Sequence, residues 1–497
     1  MKTRLTALLL IIGLLFSLAA CVEAGNTPSS AAVTTAPTQT TTVPSTISED
    51  AIYDAYYAGK PEELMVTYKD YDYIHWLPRN LQWEKDIVYL ARTLLETHPV
   101  LKDGYRHTKM KDGEFVWLNS NEYYDGQLRR AIIEAVDQLL GRITQLEDYE
   151  ITMEMRRIVA MVSDVHTWLM ATPEAVLPVS VEQIEKDGQV GLYVVRAPRE
   201  QPELLLCQLT AINGRTVEEI IQLLKPYVSW ENEYGLTAEI VEPTSMSTLI
   251  NSFDALCVVG VADWQTQGAT LTFVDHDGVE FTVTLETVSA AKAYLGSVKI
   301  DYYSNRIGLH ARPELGNYWY EVWPEENAVY FRIASCVDME DYSMSACCMD
   351  VLAALESAQE PMRLIIDLRH NGGGYYPLDG VLELTLAIEE MELDGIYILI
   401  DSQCYSATTY YTLEFDQCLE DAVLIGTPLG QPFGFFAGAG YFPLINGDLA
   451  VRISTMYSNR WPDFTGTTFM PDILLYPNWE DYQNGIDTVL NTALTMD

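Results

Sequence analysis

Three stretches of this chain combine residue types that could carry covalent chemistry. In Ile398-Leu399-Ile400-Asp401-Ser402-Gln403-Cys404-Tyr405-Ser406-Ala407 an apolar strand ends just before Ser406, and a helix pattern begins at Ala407. A serine at such a junction sits where free N–H groups and the helix dipole favour negative charge, which suits a nucleophile. The same place suits a serine that merely caps the helix. In Leu364-Ile365-Ile366-Asp367-Leu368-Arg369-His370-Asn371-Gly372-Gly373-Gly374 another buried strand runs into glycines. Glycine lets backbone N–H groups crowd toward a developing anion. A flexible loop or an anion nest would use the same residues, but no Gly-Lys-Ser/Thr follows, so a Walker-type phosphate loop is excluded. The third stretch, Ala422 to Pro432, carries a strand into Gly426-Thr427-Pro428-Leu429-Gly430-Gln431.

Taken in order, these stretches resemble the tail-specific (C-terminal processing) serine peptidases. The resemblance rests on Asp367-Leu368-Arg369 with Asn371 and Gly373-Gly374, on Ser406-Ala407, on Gly426-Thr427-Pro428-Leu429-Gly430, and on Pro471-Asp472-Ile473. It runs from about Trp83 to the end and is strongest between Leu364 and Leu474. It implies a crotonase-like (ClpP/crotonase) α/β spiral, a PDZ-like insert that meets the substrate, and peptide-bond hydrolysis with Ser406 as nucleophile. N–H groups of Gly372 or Gly373, together with Ala407, would hold the oxyanion. No cofactor and no metal are implied.

One departure bears on mechanism. Members with a Ser-Lys dyad place the lysine just after the third turn, and here Gln431 holds that place, 25 residues after Ser406. An amide has no basic lone pair usable near neutral pH. A second branch of the family, which includes the tricorn core, takes a histidine base from before the PDZ-like segment. Ser163-Asp164-Val165-His166-Thr167 resembles that branch's Asp-x-His-Thr pattern. His166 is therefore the expected base, since imidazole titrates in the right range. A histidine closing a helix end would look the same, and His370 is the fallback. Asp463 stands roughly where the tricorn-like branch has an acid, but out of register, and is not assigned a role.

The elements around these residues follow from periodicity. Glu49 to about Met170 reads as helical, with Ile87, Leu90, Ala91 and Leu94 on one face and Pro99 ending that helix. Segments 128–146 and 151–162 repeat the spacing. From Pro178 the period shortens to that of strands. Asn213-Gly214 reads as a tight turn, Val217–Leu224 as a short helix, and Thr270–Val274 with Phe281–Leu285 as a hairpin. From about Tyr318 strands alternate with helices, the signature of an α/β unit with parallel strands. The division expected is a helical region 49–177, a PDZ-like domain 178–300 and a catalytic domain 301–497.

The N-terminus sets the compartment. Lys2 and Arg4 precede an apolar run from Leu5 to Ala20 that falls short of the about 20 residues a spanning helix needs. Leu18-Ala19-Ala20-Cys21 resembles a bacterial lipobox. That implies a signal peptide 1–20, a lipid on Cys21, and a Thr/Ser/Pro-rich tether 21–48 holding the protein to the outer face of the cell membrane. The other seven cysteines form no C-x-x-C pair, so a zinc site is not expected. Acidic residues outnumber basic ones 71 to 30, for a net charge of −41. Such a surface repels nucleic acid. The partners expected are a peptide or protein substrate and the membrane. Two other classes stay open: a catalytically inactive relative that binds peptides or a ligand, and a solute-capturing lipoprotein, which would need two similar lobes where one is seen. Acyl-CoA chemistry does not fit an exported chain.

Overall fold

The computed structural model describes residues 77–497 apart from 104, 112–113, 121–122, 242–247, 300–314, 376–378, 445–448, 460–465 and 497. The leader, Cys21, the tether and Asp463 therefore lie outside the described residues.

The α/β class expected from the sequence is what the chain adopts. Its central sheet has six strands, in the order Tyr318–Trp323, Ala328–Ile333, Arg363–Asp367, Ile396–Ile400, Ala422–Gly426 and Ile473–Leu474. The first pair is antiparallel and every later pair is parallel. Side chains alternate between the two faces of a strand. Leu364, Ile366, Ile398 and Ile400 accordingly pack under the helices Met344–Glu356 and Ala407–Cys418. Ile365, Tyr397 and Leu399 pack on the opposite face against Val489, Leu490 and Ala493 of the C-terminal helix. Burial on both faces explains why these strands read as unbroken apolar runs.

The register has a direct consequence for the site. Asp367 pairs with Leu399 and Ile400 with Gly426, so the three stretches singled out above leave the sheet from one edge. Ligands of open α/β sheets bind outside the carboxyl ends of the strands.

A buried charge cluster locks this edge. Arg369 donates from Nε to Asp367 Oδ1 (3.0 Å) and from Nη2 to Asp367 Oδ2 (2.7 Å). It also reaches Asp487 with Nη1 (2.9 Å) and Nη2 (2.8 Å). Asp487 caps the C-terminal helix Thr488–Thr495. The Asp-Leu-Arg signature is thus an anchor for the strand end.

The middle segment is β-rich, as expected. A path of antiparallel strands runs through Ser297–Lys299, Gln189–Pro198, Gln208–Ile212, Gly268–Val274 and Glu280–Glu286, with Ser180–Lys186 paired to the second. Asn213 and Gly214 take positive φ in their turn, and the helix Val217–Leu224 follows. The N-terminal region is built on helices Arg79–Thr97, Gly126–Leu140 and Asp148–Ala160. It is less helical than its periodicity suggested. Tyr105–Lys111 and Glu114–Ser120 form an antiparallel hairpin, and the second helix stops at Leu140, with Gly141 as its C-cap. Leu444, Val451 and Ile453 from late in the chain complete the N-terminal core. The seven described cysteines are all free thiols. Among the described residues no helix is long and apolar enough to cross a membrane.

Candidate active site

Ser406 closes the loop 401–405 that follows the strand Ile396–Ile400, with φ 58° and ψ −121°. That is a conformation L-residues rarely adopt. Its side chain makes no capping bond to the helix Ala407–Cys418 that it precedes. The helix-cap alternative therefore does not describe this residue. A sharp, strained strand-to-helix turn with an unused hydroxyl is the arrangement that presents a serine nucleophile.

The glycine loop is sewn to this turn. Tyr405 N–H donates to Asn371 O (3.1 Å). A Cβ on Gly373, which has φ 95°, would lie 2.6 Å from Ser406 Cβ and 2.9 Å from Ala407 N. Glycine is required there both by conformation and by contact. The Gly373 N–H is itself engaged by Asn371 Oδ1 (2.9 Å). Among the described residues, Gly372 and Ala407 retain backbone N–H groups with no internal acceptor.

His166 is delivered by a different part of the chain. It lies in the bend between the helix Asp148–Ala160 and the strand Trp168–Met170, and that strand pairs with Ala450–Ile453. Ser454 N–H bonds Thr167 Oγ1 (2.9 Å) and Ser229 Oγ bonds Thr167 O (2.6 Å), so the bend is held from both sides. The imidazole stacks on Phe435, with centroids 5.5 Å apart and planes 8° from parallel. Beneath it, buried Asp164 accepts from the His166 backbone N–H (2.9 Å), from Thr167 Oγ1 (2.5 Å) and from His98 Nε2 (3.1 Å). Val100 N–H donates to His98 Nδ1 (3.2 Å), which puts the His98 proton on Nε2, facing Asp164. Burial alone would raise the Asp164 carboxyl. The bond and charge of His98, the charge of His166 and the Thr167 bond together hold it below the usual carboxylate range. Burial pushes His166 below its ordinary value and Arg452 adds to this, while Asp164 opposes it.

Ser406 and His166 meet through Gln431. Gln431 is fully buried. Its Oε1 accepts the Ser406 backbone N–H at 2.6 Å, and its Nε2 lies 2.9 Å from Glu231 Oε2 and 3.3 Å from His166 Nδ1. A backbone N–H can only donate, so the carboxamide oxygen faces Ser406 and its NH2 faces the other two. In this orientation the NH2 can donate to His166 Nδ1, which also faces Asp164 Oδ1 at 3.8 Å. Burial drives Glu231 well above the usual carboxyl range, and the charge of Asp164 adds to it. Ser406 Oγ makes no hydrogen bond to His166 in this resting arrangement.

His370, the fallback base, faces elsewhere. Its Nε2 lies 3.4 Å from Asp401 Oδ2, and its side chain is 40% exposed. Of the expected residues, the fold brings Ser406, Ala407, Gly372, Gly373 and His166 to one place. Sequence reasoning did not single out His98 or Glu231. His98 precedes Pro99 and looks like an ordinary helix end. Glu231 lies in a short loop, 228–232, that has no pattern of its own.

A cleft of about 1690 Å3 opens alongside, its walls including Gly372 of the site and Tyr405 and Val165, the chain neighbours of Ser406 and His166. Ser406, His166 and Gln431 do not line it.

No family model and no curated protein matches the sequence. Among solved structures, the chain is similar to mature CPAF complexed with lactacystin, at 12% identity over 84% of this chain and 99% of that one, TM-score 0.48. It is similar to the tricorn protease at 12% identity over 84% of this chain and 36% of that one, TM-score 0.34. It is similar to the photosystem II D1 C-terminal processing protease at 11% identity over 81% and 94%, TM-score 0.33.

Proposed function

We propose that the protein is a serine endopeptidase that cleaves peptides or proteins through an acyl-enzyme. The observation that carries this reading is Ser406 itself. Its hydroxyl is left unused at a strained turn, beside the unengaged N–H groups of Ala407 and Gly372. In this mechanism Ser406 Oγ attacks the scissile carbonyl and its proton passes to His166. The bare Nδ1 is the nitrogen on the Gln431 side and the atom suited to accept it. The carbonyl oxygen, now negative, is met by the Ala407 and Gly372 N–H groups, since that of Gly373 is committed to Asn371. Collapse expels the amine, which takes the proton from His166, and water then releases the acyl group by the same route. Asp164, oriented by His98, carries opposite charge toward the imidazolium as it forms.

We also infer attachment to the outer face of the cell membrane through a lipid on Cys21, supported by the apolar leader and the lipobox-like Leu18-Ala19-Ala20-Cys21.

A second reading, an inert peptide-binding relative, is favoured by Gln431 at the dyad position and by the absence of a direct Ser406–His166 bond. A fluorophosphonate probe separates the two. Labelling of Ser406, read by mass spectrometry and lost in Ser406→Ala, supports the hydrolase. A serine inert to the probe, together with no cleavage of peptide libraries, leaves the binding protein.

A further inference from the structure

We propose that Glu231 is a positioning residue of this site, acting through Gln431 on both Ser406 and His166. The inference rests on the hydrolase reading for its kinetic consequence and on geometry for the rest. Gln431 is buried, and a buried carboxamide can sit in two orientations that differ by exchange of O and N. In the observed one, oxygen meets the Ser406 N–H at 2.6 Å and nitrogen meets Glu231 Oε2 at 2.9 Å. The flipped one would set NH2 against the Ser406 N–H, leaving that buried donor unmade, and oxygen against the Glu231 carboxyl, which leaves a second bond unmade whenever the carboxyl is ionised. Each such loss costs about 1–3 kcal/mol. One end of Gln431 is therefore keyed by the nucleophile's backbone and the other by Glu231.

The second N–H of the keyed amide points to His166 Nδ1 at 3.3 Å. That contact favours an Nδ1 without a proton, opposing the pull of Asp164 Oδ1, 3.8 Å from the same nitrogen and beyond hydrogen-bond reach. If the amide turned over, its oxygen would face the ring and draw the proton onto Nδ1, the wrong place for a base on this side. Glu231 makes no hydrogen bond to Ser406 or to the ring. Its effect is on which nitrogen of His166 is bare. Its own seat is fixed by the Val165 backbone, which bonds its carboxyl, so the base-bearing bend and the carboxyl move together.

The test reads the His166 tautomer directly, by imidazole 15N shifts in the full chain, with His166→Gln assigning the signal. Wild type should show Nδ1 unprotonated. Glu231→Leu should move His166 toward the Nδ1–H form and lower kcat by about 10-fold to 100-fold with KM little changed. Glu231→Gln, whose amide oxygen can accept the same bond, should restore the wild-type signature. If Glu231→Leu does not fold, as judged by thermal melting, Gln431→Met interrogates the same link from its other end and should produce the same tautomer change. An unchanged His166 signal in a folded Glu231→Leu or Gln431→Met protein overturns the proposal. A wild type inert to fluorophosphonate refutes the hydrolase reading, while the tautomer comparison still decides the role of Glu231.

Discussion

The residues of the site divide the work of a base between a ring and its supports. Ser406→Ala and His166→Ala should each lower kcat by at least about 10³-fold, and the double variant should be little worse, because the pair acts as a unit. Esterolytic assays on the three variants check this. Additive losses would mean that the two residues act separately. The pH profile follows from the environment of His166. Burial and Arg452 depress its pKa, so the ring is neutral down to below the ordinary value of about 6.5. Activity should therefore be fully developed at neutral pH, with its acid limb centred below about 6.5. The same shift has a stability consequence. The unfolded chain takes up the proton first, so the contribution of His166 to stability is complete above about 6.5 and is lost as pH falls toward the folded value. Glu231 runs the other way, because a raised carboxyl favours the folded state most at low pH and less as pH rises through its folded value. An acid limb of kcat/KM centred above about 7 would contradict the assignment of His166 as base.

At the scale of elements, the charged edge of the sheet offers a test that does not depend on chemistry. Asp367, Arg369 and Asp487 are 0%, 7% and 7% exposed and satisfy one another. Arg369→Met would remove the guanidinium that both buried carboxylates share, leaving Asp367 with Arg332 at 3.8 Å and the Tyr330 hydroxyl at 2.7 Å, at a cost of about 3–5 kcal/mol. Denaturant unfolding should show this loss, whereas a change under about 1 kcal/mol would mean that the cluster is hydrated and weak. The elements also show what a sequence can and cannot reveal. The strands Arg363–Asp367, Ile396–Ile400 and Ala422–Gly426 were legible because each is an apolar run stopped by Asp or Gly. The turn at Asn213-Gly214 and the helix Val217–Leu224 were legible because their signals are local. The hairpin of Tyr105–Lys111 and Glu114–Ser120 was missed, although Asp112-Gly113 between the two runs is a hairpin signal in the sequence. The helical neighbours on both sides outweighed it. Ser406 and His166 stood out because each sits in a recognisable local pattern. Glu231 and His98 did not, because what distinguishes them is a partner 200 residues away in one case and 66 in the other. No periodicity encodes such a pairing.

At the scale of the whole molecule, the middle segment is part of the site rather than an appendage to it. Asn232 Nδ2 donates to Leu429 O (2.9 Å) and Thr467 O (3.1 Å), and Asn232 Oδ1 takes the Gly235 N–H (2.9 Å). Gly235 and Gly430 then approach so closely that a Cβ on Gly235 would lie 3.1 Å from Gly430 C and 3.2 Å from Gly430 Cα. Backbone on both sides cannot yield as a flexible side chain can. Gln431 is the next residue after Gly430, and Glu231 the residue before Asn232, so this seam sets the distance between them. Gly235→Ala should therefore push the middle segment off the sheet edge, separate Glu231 from Gln431 and reduce turnover. A segment that only docked long substrates would, when displaced, impair protein cleavage and spare a small ester. A segment that also completes the site should impair both alike. The measurement is kcat/KM of Gly235→Ala on a p-nitrophenyl ester and on a denatured protein, with melting to confirm folding. Parallel losses of about 10-fold or more would place the seam within the catalytic unit. A loss confined to the protein substrate would return the middle segment to a docking role and leave the Glu231–Gln431 distance without a part in turnover.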